Sequence, residues 1–548
     1  MAYNKPGVEV SQVQKTKSAV LNTPDLEGVI VGNAYWWQDP TWEDSGSQLY
    51  NSVWGTKFVS NGNPVTIPLS DINPVYNDIV AGDGELVIVD LLGVSGPSTG
   101  KTMHLKYGTD FSVNETTNTI TCSGMTETGG TSEFLVKVGF RAKNPNAVGF
   151  KVIGSSTEIE ELLGEAVSWN PLAFGVNIAM NNSGTKFNAL GVEWTADPGS
   201  NAINAINDVL SLKDIFAIGV ATHKITASDL KAHCSTQSLP ENKKERIAFV
   251  NNVISYPDNP TTLTSTQRAT IAAAVRDANS AIGSQRVYSI HPDRAFVVET
   301  RHISTIKPSW INKSFNYTTT IDFTTYGPYA KFVADTVVGG IKYKAGQDIT
   351  ESVWTNLMAN NWAGASGMVT VYAPVPGYYY TAQACGQVIG TTPEQPLTNV
   401  AGSGLAKTYG SQDIFSEAEL NIMAEGGTWI MTQDSEFGPI YCRHQMSTDI
   451  TSVAKRELSV VKALDYTAKF MRKSLKPYIG KYNITPAFID LVDSILFNVG
   501  RFLVRMGVIE DLKVLSVTQN ELQQDVLEAE VNVLPKYPVN YIKIKLTF

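Results

Sequence analysis

The most regular pattern of apolar and polar positions is at the end of the chain. In "NYIKIKLTF" (540–548), Ile542, Ile544, Leu546 and Phe548 fall on one face, and Tyr541, Lys543, Lys545 and Thr547 on the other. That two-residue period predicts a β-strand running to the last residue. Chain ends are usually frayed and polar, so such a strand has to complete a sheet, either its own or a neighbour's. Donation to a neighbour would supply backbone hydrogen bonds for affinity and side-chain pockets for register. Near the other end, Val8 and Val10 alternate with Glu9 and Ser11 after Pro6-Gly7, with no partner run close by. Residues 1–24 read as an extended arm and 536–548 as a terminal strand.

Between the ends the pattern changes twice. Residues 25–194 are rich in Gly, Thr, Ser and Asn with short alternating runs, which predicts a β-rich, sandwich-like part. Within it, Phe111 and Val113 can match Ile120 and Cys122 across an Asn/Thr turn. From 195 to 400 helical and strand patterns alternate, which predicts a mostly parallel α/β layer. "IFAIGVAT" (215–222), "RIAFVNNVI" (246–254), "AFVVE" (295–299) and "MVTVYAPV" (368–375) read as strands. "NAINAINDVLSL", "ASDLKAHCS" and "TSTQRATIAAAVRDANSAIG" (264–283) read as helices, the last with Thr264 or Ser265 as cap and Gly283 as stop. Residues 303–367, rich in Tyr, Thr and Trp, read as an insertion.

A glycine-rich linker, "VAGSGLAKTYG", opens the region 401–535, and two long helices follow. The second starts at Thr485-Pro486, carries apolar residues at helical spacing from Phe488 to Met506 and stops at Gly507. "LKVLSVT" and "LEAEVNVLP" follow as strands.

Composition narrows the function. The 548 residues, 43% hydrophobic and 17% charged, suit a packed multidomain protein rather than a disordered one. A net charge of −9 disfavours nucleic acid and anionic membranes as main partners. Four scattered cysteines without a C-x-x-C pair fit a reducing compartment. The first residues lack the apolar core of a signal peptide, and no apolar window is long enough to span a bilayer, so a cytoplasmic protein is expected.

Motifs that would mean catalysis are incomplete. "LLGVSGPSTGKTMHL" (91–105) resembles a phosphate-binding loop, but Ser95 stands where the first glycine is required, and a strand pattern follows where a helix should start. Asp44-Ser45-Gly46 and Gly364-Ala365-Ser366-Gly367-Met368 resemble fragments of a subtilisin-type site, yet none of the six histidines has the matching context. His233-Cys234 are adjacent and cannot face one metal from a helix, and no other metal-ligand spacing is present. Glu158, Glu160, Glu161 and Glu165 read as a solvated helix face, and Tyr378-Tyr379-Tyr380 with Trp36-Trp37 as packing aromatics. Lys469, Arg472, Lys473 and Lys476 form a basic stripe late in a helix. They either complement its C-terminus or contact an acidic neighbouring subunit. No catalytic, cofactor-binding or metal-binding residue is assigned.

One family resemblance covers most of the chain. The arm with Pro6-Gly7-Val8, "GVIVGNAYWWQDP" (28–40) and "LYNSVWGT" (49–56) resemble the start of contractile phage tail sheath proteins. "YYYTAQACGQVIGTTPEQPLTNV" (378–400), "ELNIMAEGGTWIM" (419–431), "YCRHQMSTD" (441–449) and "VNVLPKYPVNYIKI" are similar to later parts of that pattern, in order. The resemblance implies a non-enzymatic structural subunit. Its parts would be a β-rich outer domain, a subtilisin-like α/β middle domain without a triad, and an α/β C-terminal assembly domain over 401–535. It implies hexameric rings stacked helically around a tail tube, with baseplate and tail terminator proteins as further partners, in a virion assembled in the host cytoplasm. It places Pro6, Gly7, Val8 and Val10 in an arm, and Tyr541, Ile542, Ile544, Leu546 and Phe548 in a strand, that link subunits. Glu9 stands where the family often has an aromatic residue. The competing readings are a P-loop NTPase, a subtilisin-like hydrolase, or a non-contractile virion component.

Overall fold

The computed structural model describes residues 24–38, 57–60, 65–68, 87–95, 102–105, 111–114, 117, 119–122, 132–168, 170–192, 198–251, 263–302, 330–350, 352–353, 356–357, 360, 368–409, 411–412, 414–435 and 438–546. Its centre is a nine-stranded mixed sheet. The strands are β1 (Gly28–Gly32), β2 (Gly149–Ile153), β3 (Phe187–Gly191), β4 (Ala217–Val220), β5 (Ile247–Asn251), β6 (Val287–His291), β7 (Ala401–Gly402), β8 (Thr428–Gln433) and β9 (Ile440–Cys442). Their spatial order is β2-β3-β1-β4-β5-β6-β8-β9-β7. The six from β3 to β8 in that order are parallel, and β2, β9 and β7 add antiparallel pairs at the margins.

Helices cover both faces, which is why the central strands read as unbroken apolar runs. They are α1 (Ser156–Leu163), α2 (Pro171–Ser183), α3 (Pro198–Val209), α4 (Ala227–Gln237), α5 (Ser265–Ile282), α6 (Tyr379–Gly390) and α7 (Glu417–Ala424). The two-residue period sorts the core. Ile30, Ala217 and Phe249 pack with Leu172 and Val176 of α2 and Ala382 and Cys385 of α6. Val29, Val31, Ile218 and Ala248 pack on the opposite side with Ile206 of α3 and Leu230 of α4. On the first side α2 and α6 run in close contact: a Cβ on Gly386 would meet the Ala179 carbonyl oxygen at 2.4 Å, so only glycine fits there.

The local signals perform as expected at the helix ends. Thr264 caps α5 with a reciprocal bond from Gln267, and Gly283 stops it in the left-handed region at φ +51°. Thr226 and Ser416 cap α4 and α7 in the same way.

Three expectations change. First, β1, β2 and β3, from the region expected to be an outer β-rich part, are strands of the central sheet. The β-rich body lies between β1 and β2 in sequence. Strands Tyr35–Gln38, Lys57–Ser60, Val87–Ser95, Thr102–Leu105 and Ser132–Lys143 form one antiparallel sheet there, and Val65–Pro68, Phe111–Asn114 and Thr119–Cys122 another. The expected division at residue 194 thus does not fall between two sheets. Second, the glycine-rich stretch is, over its described residues 400–409, not a free linker. β7 pairs β9, and Lys407–Tyr409 pairs Arg294–His302, because Gly402 and Gly404 sit in close contact with Gln383 and Ile178, where larger residues would not fit. Third, the terminal run at 540–546 has no strand partner among the described residues.

The C-terminal part is a smaller core. α8 (Leu458–Leu475) and α9 (Pro486–Met506) pack with a two-stranded antiparallel hairpin, β10 (Ile509–Gln519) and β11 (Leu527–Pro535). Tyr466 and Phe470, Val499 and Leu503, and Ile509 and Leu512 fill it. Thr485 caps α9, Pro486 opens it and Gly507 ends it at φ +84°.

Candidate assembly surface

β10 and β11 pair only with each other among the described residues, so each presents one outer edge with unused backbone donors and acceptors. One face rests on α9. Gly500 allows that approach, since a Cβ there would lie 2.8 Å from a methyl of Leu512. The other face carries exposed Leu515 and Leu534, and the connecting turn leaves Leu522 95% exposed. A two-stranded hairpin is marginal alone; here, among the described residues, α9 with the second half of α8 supports it from one side.

The chain then leaves the hairpin and runs along the surface. Asn540 Nδ2 donates to Glu457 Oε1 at 2.9 Å and fixes the start of the tail. Beyond it Tyr541, Ile542 and Ile544 are each 79% exposed and Leu546 86%. A β-patterned apolar segment in water with no partner strand is the reverse of what folding favours. Of the residues expected to link subunits, these four are on the surface. Pro6, Gly7, Val8, Val10 and Phe548 lie outside the described residues.

Glu457, which sequence reading did not single out, is buried at the N-cap of α8. It also accepts from His444 Nε2 at 2.8 Å and Arg456 Nε at 3.1 Å. Burial pushes its pKa up, but the bonds and charges of His444 and Arg456 prevail and hold the carboxylate below its ordinary range. The tail is therefore anchored to a carboxylate that is already held in place.

α8 joins the small core to the large one. Its first half, Leu458 and Val461, belongs to the sheet core, and its second half, Tyr466 and Phe470, to the hairpin core. Charged residues on its inner face tie it down. Lys462 Nζ donates to the carbonyls of Val388 at 2.5 Å, Thr391 at 2.9 Å and Thr392 at 3.0 Å, at the end of α6. Burial lowers this ammonium to about 7. Arg286 pairs with Asp465, Lys469 with Asp214 and Arg472 with Glu245. The basic stripe is thus divided. Lys469 is buried and Arg472 half-buried in these pairs, whereas the side chains of Lys473 and Lys476 are exposed. No local pattern could have announced this, because Asp214 and Glu245 are more than 200 residues away in sequence.

The motifs that hinted at chemistry resolve into structure. Val87–Ser95 and Thr102–Leu105 pair antiparallel, so "GKT" leads into a strand and not a helix. Residues 96–101 themselves, with Asp44-Ser45-Gly46 and Gly364 to Gly367, lie outside the described residues. Tyr379 and Tyr380 are fully buried and donate to the carbonyls of Ser168 and Arg294 at 2.6 and 3.1 Å. Glu158 accepts from the Gly154 N–H at 2.6 Å, next to the cap of α1. His233 is buried: its Nδ1 bonds to Asn207 Oδ1 at 2.8 Å, and Arg246 Nη1 lies 2.9 Å from Nε2. Burial, and then the Arg246 charge, lower His233 to about 4. Cys122, Cys234, Cys385 and Cys442 are free and buried; burial pushes the Cys234 thiol up to about 12. Among the described residues no group of three or more His, Cys, Asp or Glu is arranged to hold a metal ion. Nor is any described helix long and apolar enough to cross a membrane.

No protein-family model matches the chain, and no curated protein matches it. Solved structures similar to it include several that are named as sheaths. The anti-feeding prophage helical sheath in its contracted state is 12% identical with a TM-score of 0.46, over 74% of this chain and 89% of that one. The sheath complex of the PVC extracellular contractile injection system, also contracted, is 12% identical with a TM-score of 0.45, over 74% and 87%. The sheath tail protein of Desulfitobacterium hafniense is 11% identical with a TM-score of 0.38, over 94% of each chain.

Proposed function

We propose that this chain is a structural, non-enzymatic subunit of a contractile tail sheath. The observation that carries the reading is the C-terminal tail. Its alternating apolar residues stand exposed, anchored at Asn540, beyond a hairpin with two outer edges, and among the described residues neither the tail nor those edges has a strand partner. A donated strand and an acceptor edge on the same molecule generate a repeating polymer, because each subunit gives to one neighbour and receives from another. The ordered sequence resemblance supports the same reading and supplies its finer content. The subunits form hexameric rings stacked around a tail tube, the N-terminal arm with Pro6, Gly7, Val8 and Val10 adds a second link, and the middle of the chain is a subtilisin-like domain without a triad. Contraction releases a packing of higher free energy trapped by assembly on the tube and baseplate, drives the tube through the host envelope, and needs no nucleotide. The tail terminator closes the polymer, and the particle is a virion assembled in the host cytoplasm.

Electron microscopy of the purified protein tests the reading. Long hollow cylinders of two lengths or diameters are expected; uniform rods of a single geometry, or no polymer with or without a tube template, would overturn it.

A further inference from the structure

A cleft of about 650 Å³ opens between the last turn of α8 and the β2–β3 margin of the central sheet, beside Pro24. Seven basic side chains line it against three carboxylates. Lys469 and Arg472 are paired inward with Asp214 and Glu245, but Lys186, Lys213, Lys243 and Lys476 are exposed around the opening. Lys213 lies over the Phe150 ring at 4.9 Å, and the wall also presents Val152, 53% exposed. The cleft is therefore apolar on one wall and ringed by lysines, on a protein whose net charge is −9. Such a concentration of like charge favours an anionic occupant. The first 23 residues carry Lys5, Lys15 and Lys17 against Glu9, so the arm preceding Pro24 does not match that charge.

The matching surface is on the C-terminal hairpin. Residues 509–535 hold six carboxylates and one lysine. At the turn, Glu521 and Asp525 flank the region around Leu522, and all three are exposed. A leucine between two carboxylates fits an apolar wall ringed by lysines. With Leu522 95% exposed, this turn does not occupy the cleft of its own chain. We infer that the cleft receives the hairpin turn of a second copy of this chain. The two surfaces differ, so the contact is head-to-tail and propagates rather than closing as a two-fold dimer. The inference rests on the self-assembly proposed above, but uses the turn and the cleft rather than strand edges and tail.

Charge reversal tests it on the full chain. Lys186→Glu with Lys476→Glu, and separately Glu521→Lys with Asp525→Lys, should each weaken self-association by about tenfold or more at low salt, with unchanged melting temperature. Combining all four, or mixing the two variants, should restore association, and rising salt should weaken the wild type. Sedimentation velocity reads the affinity and electron microscopy the polymer. Wild-type cylinders that persist in both charge variants would overturn the cleft contact and leave the sheath reading intact. Salt-sensitive, turn-dependent oligomers that never lengthen into cylinders would support the contact and overturn the sheath reading. Loss of assembly in the lysine variant alone, with no rescue, would assign the cleft to a different anion and overturn the inference. A wild type that stays monomeric at low salt would overturn it as well.

Discussion

The nine-stranded sheet and the C-terminal hairpin are built on opposite terms. Every central strand of the sheet has neighbours on both sides and helices on both faces, so Val29, Ile30, Ile218 and Phe249 are all fully buried. Among the described residues the hairpin has two strands, two unpaired edges and one covered face, and its sequence continues into a tail that exposes Ile542, Ile544 and Leu546. Both regions use β-patterned apolar residues. In the sheet the pattern is satisfied by the chain itself; in the hairpin and tail, among the described residues, it is not. Under the proposed function, that contrast separates what folds the chain from what would join it to a neighbour.

The strongest way to break that comparison is to remove the tail. A chain lacking Tyr541–Phe548 should lose polymerisation outright while keeping its far-ultraviolet spectrum and a melting temperature within about 2 °C, since exposed residues contribute little to the monomer. Sheath formation by the truncated chain, seen in negative stain, would remove the basis of the donor-strand reading. The next largest effect should come from Arg286→Ala, which cuts a tie between sheet and α8. Asp465 would be left buried without its cation, at a cost of about 3–5 kcal/mol by urea unfolding. A loss below about 1 kcal/mol would show that the two regions are not coupled through this pair.

Gly500→Val sharpens the comparison from the other side. Its Cβ would press on Leu512, and overpacking of this kind costs about 1–3 kcal/mol. Amides of β10 and β11 should exchange faster while those of β4 and β5 stay protected; equal loosening in both regions would mean that they share one core. The smallest effect is confined to the sheet. His233 is held at about 4 in the fold, below its ordinary 6.5. The unfolded chain therefore takes up a proton first, and the stability contributed by neutral His233 is complete above pH 6.5 and lost progressively as pH falls toward 4. Melting temperature followed across that window should fall less steeply in His233→Asn than in the wild type. Identical slopes would show that the ring does not titrate as its burial against Arg246 requires.

Legibility in the sequence follows the same divide between local and distant. Runs such as "IFAIGVAT" gave away strands buried on both faces, and Thr264, Gly283, Thr485 and Gly507 marked helix ends, because caps and stops are local chemistry. The hairpin that matches Phe111 and Val113 to Ile120 and Cys122 was legible for the same reason, and the fold sets its register as Phe111 with Cys122 and Val113 with Ile120. β1 was placed with the wrong neighbours because it pairs residues 188–191 and 217–220, far along the chain, and nothing within "GVIVG" names them. Lys469 and Arg472 looked like surface charges because Asp214 and Glu245 meet them only in the fold. The tail was legible as a strand pattern, but its lack of a strand partner among the described residues and its anchor at Glu457 were not, since both depend on distant parts of the chain.

That anchor has a mechanical meaning. A force applied to the tail by a neighbouring molecule enters the fold at Asn540 and is handed to Glu457, at the head of α8. α8 is gripped by the sheet core along its first half and by the hairpin core along its second. Tension therefore arrives at a beam clamped in both bodies rather than at a loose thread, and one subunit cannot be tugged without moving its two halves together.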